Sequence, residues 1–161
     1  MKNIVFSITA MTYLVLLGAS CTTDQGQSTP AQIDKDEIKK EIQAKENHFA
    51  QVYNSGEIKK IGYYADDAVT FYQNMEPIRS KKERFEFLQS DLESNSNKIS
   101  FTTLEVFPSD DGNKVLELGY YTVVDSTHTA INTGNYMSYF EKRDGQYVCL
   151  RDMSASDMPL E

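Results

Sequence analysis

Apolar residues recur at three- and four-residue steps from Ile38 to Tyr53, and at every second position over most of the C-terminal half. The first period belongs to a helix with one buried face, the second to half-buried strands. Ile38, Ile42, Phe49, Val52 and Tyr53 mark the inner face of a first helix. It starts at Asp34, with Glu37 at capping-box spacing, and stops at Asn54-Ser55-Gly56, where Gly56 supplies the left-handed residue. Glu57–Tyr64 predicts a second, short helix with Ile58, Ile61 and Tyr64 inward. Ala68–Gln73 (AVTFYQ) predicts a strand, and Asn74–Arg79 with Pro77 a loop. Ser80 and Glu83 form another capping box that opens a third helix lined by Phe85, Leu88 and Leu92. The polar segment Asp91–Lys98 breaks that pattern.

Four strands are expected after it: Ile99–Phe107, Lys114–Val124, Thr129–Arg143 and Gln146–Met153. A turn at Ser109–Asn113 and a loop at Asp125–His128 separate the first three. Asp144-Gly145 closes the last pair as a hairpin, because both of its turn positions require positive φ. Three helices followed by one antiparallel sheet predict the α+β class.

Ahead of the first helix the pattern changes. Lys2 precedes the apolar run Ile4–Leu17, then Gly18-Ala19-Ser20-Cys21. A positive start, a short apolar centre and a small-residue end are the layout of a secretory signal peptide. The run is shorter than the roughly 20 residues a membrane-spanning helix needs. The cysteine at its end resembles a bacterial lipoprotein site in relaxed form, with Gly18 and Ser20 at positions that usually hold Leu and Gly or Ala. The expected organisation is a signal peptide over 1–20, a flexible tether over 21–33 with a lipid on Cys21, and a folded domain over 34–161. The membrane is then a partner through that lipid, in the cell envelope, facing the periplasm or the cell surface.

Composition narrows the function. The net charge of −8 argues against nucleic acid as a partner. With Cys21 lipidated, Cys149 has no intrachain partner and is expected as a buried, inert thiol. His48 and His128 are the only histidines and neither has metal-ligand spacing around it. There is no phosphate-binding glycine loop and no Gly-x-Ser-x-Gly turn. No metal and no cofactor are expected.

Four segments in order resemble the nuclear transport factor 2-like superfamily, in its SnoaL-like and ketosteroid-isomerase-like branch. They are Asn54-Ser55-Gly56-Glu57, Tyr64-Ala65-Asp66-Asp67-Ala68-Val69, Glu76-Pro77 with Ser80, and Gly134-Asn135-Tyr136 through Phe140 to Asp144-Gly145-Gln146-Tyr147. The resemblance implies a cone, in which a curved antiparallel sheet wraps the long first helix and leaves a pocket at the open end. Homodimerisation through the sheet is common in that superfamily. Its steroid isomerases use an aspartate base and an oxyanion hole of a tyrosine and a second acid. By the resemblance these positions hold Tyr72, Phe49 and, approximately, Tyr136, so steroid-isomerase activity is not expected. Asp66 and Asp67 are expected as backbone caps where a helix ends and a strand starts.

The same resemblance gathers Phe49, Tyr53, Tyr64, Tyr72 and Tyr136 in one region, with Phe85 and Leu88 completing the expected pocket. Tyrosine offers an apolar face and a polar tip, which suits a small, partly apolar ligand; the rings could equally fill the cone. Strand alternation puts Val148, Leu150 and Asp152 on one face and Tyr147, Cys149, Arg151 and Met153 on the other. If the first face is the inner one, Asp152 reaches the pocket rim, where a buried carboxylate needs a partner or its pKa rises. His48 and Arg84 are the candidate partners. Three functions follow: a lipid-anchored binding module without isomerase activity, an enzyme using Asp152 with His48 or a tyrosine for acid–base work on a hydrophobic molecule, and a sheet-mediated dimerisation module.

Overall fold

The computed structural model describes residues 33–159. The expected signal peptide, and the tether except for Ile33, lie outside the described residues. Helix α1 (Lys35–Asn54) is capped by Asp34, whose carboxylate accepts from the backbone N–H groups of Asp36 and Glu37, both at 3.0 Å. At its other end Gly56 takes φ +81°, and the Gly56 and Glu57 amides return to the carbonyls of Tyr53 and Val52. This is the glycine stop expected from Asn54-Ser55-Gly56.

Among the described residues two α-helices are present, not three. The segment expected as a short helix over Glu57–Tyr64 forms only a 3-10 turn at Ile58–Lys60. Gly62 follows at φ +57°, outside helical geometry. Strand β1 (Tyr64–Phe71) therefore starts four residues before the expected Ala68. Asp66 and Asp67 lie exposed within it and pair with Lys81 and Arg143 instead of capping a turn. Helix α2 (Lys81–Ser94) opens on the full Ser80–Glu83 capping box and runs three residues past Asp91, where its apolar pattern ends.

Strands β2 (Lys98–Pro108), β3 (Lys114–Val124), β4 (Ala130–Arg143) and β5 (Gln146–Ser156) follow. Asp144 and Gly145 both have positive φ in the β4–β5 hairpin, as their sequence requires. One sheet forms in the order β1-β5-β4-β3-β2. Its β2 to β5 pairs are antiparallel, but β1 runs parallel to β5 along the edge, so the sheet is mixed. The parallel pairing follows from the connection: the chain leaves β1, passes through α2 and crosses three strands before β5 returns beside it.

The sheet is curved, and α1 packs on its inner face. Ile42, Phe49, Val52 and Tyr53 of α1 meet Val106, Val115, Phe140, Tyr147 and Cys149 in one core. A bulge sets which residues of β5 join it. Tyr139 pairs with Arg151 and Phe140 with Cys149, which leaves Leu150 as an extra residue. The alternation slips there. Tyr147 and Cys149 point inward before the bulge, and Asp152 points inward after it. Val148 and Leu150, expected to share a face with Asp152, do not.

Candidate functional site

The register aligns four polar side chains across the inner face. Thr70 of β1 pairs with Asp152 of β5, Asp152 with Ser138 of β4, and Ser138 with Glu117 of β3. Glu46 of α1, buried at 2% exposure, comes down onto this row. Tyr63, just before β1, donates its hydroxyl hydrogen bond to Glu46, and Ser138 Oγ lies 3.3 Å from the same hydroxyl. Glu117 accepts from Thr103 at 2.6 Å and from Tyr136 at 2.8 Å, both at Oε1. Its Oε2 has no partner. Tyr136 reaches Glu117 because Gly119, directly opposite on β3, leaves room for its ring. A Cβ on Gly119 would stand 2.1 Å from Tyr136 Cζ.

Asp152 sits at the wall of a cavity of about 230 Å³, partly open to solvent. Its Oδ2 accepts from the Tyr64 hydroxyl at 2.9 Å, while Oδ1 is shut off from solvent without a partner. Burial pushes the Asp152 carboxyl up to about 6, against the lowering effect of the Tyr64 and Thr70 hydroxyls and the Arg84 guanidinium. Burial also raises Glu46 well above the ordinary carboxylate range, and the neighbouring Glu117 raises it further. Glu117 is raised by its own burial. A buried carboxyl that cannot shed its proton cheaply keeps it. The row thus combines Asp152, pushed up to about 6, with a Glu46–Glu117 pair whose carboxyls are both raised by burial.

The remaining wall is aromatic. Phe49 stacks on Tyr53 at 6.0 Å and meets Tyr63, Tyr64 and Phe101 edge to face. Tyr72 stacks on Phe87 at 4.5 Å. Phe101 meets Tyr136 edge to face. Tyr53 donates to Asp91 at the same wall.

Of the residues expected at a pocket, Phe49, Tyr53, Tyr64, Tyr72, Leu88 and Tyr136 line this cavity. Phe85 does not: one position along α2 from Arg84, it faces a second, more open cavity of about 620 Å³, beneath Lys59. His48 is exposed on α1 and lines neither cavity. The structure therefore does not bring it to Asp152. Arg84, buried at 3% exposure, lies behind the wall with its guanidinium 4.5 Å over the Tyr64 ring. It donates to Thr70 and to the Ala68 carbonyl and makes no ion pair with Asp152. Cys149 is fully buried, and burial raises its thiol pKa.

The acids Glu46 and Glu117 were not foreseen, although a signal existed for both. Glu46 stands four residues after Ile42 and three before Phe49, on the apolar stripe of α1. Glu117 alternates with Val115 and Gly119 on the inward side of β3. A charge on a buried face marks a polar network or a site.

No protein-family model and no curated relative matches this chain. Solved structures do. A domain of unknown function with a cystatin-like fold from Nostoc punctiforme superposes at TM-score 0.67 and 13% identity, over 79% of this chain and 82% of that one. An NTF-2-like protein of unknown function from Shewanella oneidensis gives 0.61 and 16%, over 71% and 96%. A ketosteroid isomerase-like protein from Erwinia carotovora atroseptica gives 0.61 and 17%, over 77% and 99%. At these identities the likeness concerns the fold. The domain has the NTF2-like, or cystatin-like, α+β fold expected from its motifs.

Proposed function

We propose that this domain is a small-molecule binding module whose ligand enters the aromatic cavity and anchors a polar end on Asp152. The observation that carries this reading is the Asp152 carboxyl in the wall of an aromatic-lined cavity of about 230 Å³. A ligand donor that meets this carboxyl would compensate its loss of hydration. The aromatic rings supply the apolar contact for the rest of the molecule. The test is native mass spectrometry of the purified protein, followed by mild denaturation. A released small molecule, lost in Asp152→Asn, supports the reading. If cavity-sized probes also fail to perturb the signals of Tyr64 and Tyr136 in a chemical-shift titration, the reading is refuted.

A second reading, acid–base catalysis on a hydrophobic molecule, is favoured by one observation. Asp152 is pushed up to about 6 and lines the cavity, which are the properties of a general base. Its partner in that role would be Tyr64, already hydrogen-bonded to it, and not the distant His48. A turnover that rises with pH through about 6 and disappears in Asp152→Asn would establish it.

For its place in the cell we propose attachment to a bacterial envelope membrane through lipid on Cys21. Support comes from Lys2, the apolar run Ile4–Leu17 and the cysteine after Ser20. Cys21→Ala should move the protein from the membrane to the soluble fraction. A homodimer through the outer sheet face is proposed with it. Phe71, Met153 and Met137 lie side by side across β1, β5 and β4, and all three are exposed. Met137→Glu should shift the sedimentation coefficient to that of a monomer.

A further inference from the structure

We infer that the cavity is built for an organic cation, a primary amine with a compact apolar body, whose ammonium group rests against Asp152. This rests on the binding-module reading above and adds the charge class of the ligand.

Three observations carry it. First, the charges at the wall have one sign. Asp91 and Asp152 line the cavity beside Glu46, whose carboxyl is raised well above the ordinary range, and among the described residues that line it there is no lysine, arginine or histidine. The nearest guanidinium, that of Arg84, sits over the Tyr64 ring and is held by Thr70 and the Ala68 carbonyl, outside the lining. Second, the Asp152 carboxyl in that wall accepts from the Tyr64 hydroxyl and forms no ion pair with Arg84. A neutral hydroxyl ligand would leave the Asp152 charge uncompensated in a water-poor site, and an ammonium group compensates it. Third, half of the lining residues are aromatic, with Phe49, Tyr64, Tyr72 and Tyr136 among them. Aromatic faces attract a cation, and more strongly when it is desolvated against them. An anion would meet the opposite: Asp91, Asp152 and negative ring faces.

Size sets the class further. A dry cavity of about 150 Å³ takes a benzene ring. About 230 Å³ thus accommodates one ring with a short aminoalkyl arm, or an aliphatic amine of similar bulk.

The pH behaviour is set by the groups that face Asp152. These are Tyr64 on β1, Tyr72 just after it, Arg84 from α2, Glu46 from α1 and Cys149 on its own strand. The tyrosines and the cysteine are raised away from neutrality and do not titrate between pH 5 and neutrality, where Asp152 does.

The test is calorimetric titration of the purified protein with 2-phenylethylamine and butylamine, each against its alcohol, 2-phenylethanol and 1-butanol. At neutral pH at least one amine should bind about tenfold or more tighter than its alcohol, the equivalent of about 1.4 kcal/mol. One pH unit below the Asp152 value of about 6, that preference should fall by about tenfold. Asp152→Asn should abolish the preference while leaving alcohol binding in place. Should that variant not fold, the pH series on the unaltered protein and the wall variant Tyr72→Leu, which should weaken the amine more than the alcohol, report on the same claim. Equal binding of amine and alcohol would overturn the cation assignment and leave the binding-module reading standing. Absence of binding by all four probes would overturn both.

Discussion

Gly119 and Tyr136 show how a single position governs the inner-face network. Tyr136 crosses over Gly119 to reach Glu117, and any side chain on residue 119 takes the space of its ring. Gly119→Ala should therefore displace Tyr136 and break its bond to Glu117. Overpacking of this kind costs roughly 1–3 kcal/mol, readable as a lowered denaturant midpoint with an unchanged slope. The acids themselves were the least legible part of the site. Asp152 could be flagged from sequence because it ends an alternating strand, but its facing could not be settled. The bulge at Leu150 changes which residues share a face, and nothing in Val148-Cys149-Leu150-Arg151 announces an extra residue. Glu46 and Glu117 were hidden differently. A helix or strand period counts a glutamate as solvated, so a glutamate at a core position disappears into the polar background.

Among the elements, the helix ends were the most legible features. Asp34, Gly56 and the Ser80–Glu83 pair are local chemistry: each satisfies backbone groups within a few residues and needs no tertiary partner. Ser80→Ala should remove the hydroxyl that accepts from the Glu83 amide and cost about 1 kcal/mol, seen as a lower thermal midpoint with unaltered secondary structure. The 3-10 turn at Ile58–Lys60 was less legible, because Ile58, Ile61 and Tyr64 fit a helical period as well as the turn-and-strand actually formed. The parallel β1–β5 edge was invisible for a related reason. Strand direction is decided by how the chain crosses the sheet, not by the residues of β1.

At the level of the whole domain, the buried acids make stability depend on pH in an unusual direction. Asp152 and Glu46 have folded-state pKa values raised above their unfolded ones. The unfolded chain releases these protons at lower pH than the native one does. Stability is therefore fully present below the unfolded values near 4 and falls as pH rises through the folded values. For Asp152 the window runs from about 4 to about 6, and the raised Glu46 acts in the same sense. The loss from Asp152 alone is on the order of 3 kcal/mol, at 1.36 kcal/mol per unit. Surface carboxyls with lowered values act oppositely below pH 4, Asp111 at about 2 among them. The thermal midpoint should thus be higher near pH 4.5 than at pH 7.5. Glu46→Gln, which keeps an acceptor for Tyr63 but cannot ionise, should raise the midpoint at pH 7.5 and change it little at pH 4.5.

The account stands or falls on Asp152, and carbon-detected NMR of its side-chain carboxyl reads that residue directly. In the free protein the Asp152 resonance should titrate at about 6. With saturating 2-phenylethylamine it should move to lower pH, because a bound ammonium favours the carboxylate. A resonance that titrates near 4, like that of an exposed aspartate, and that ignores the amine would contradict both the buried site and the cation it is inferred to hold.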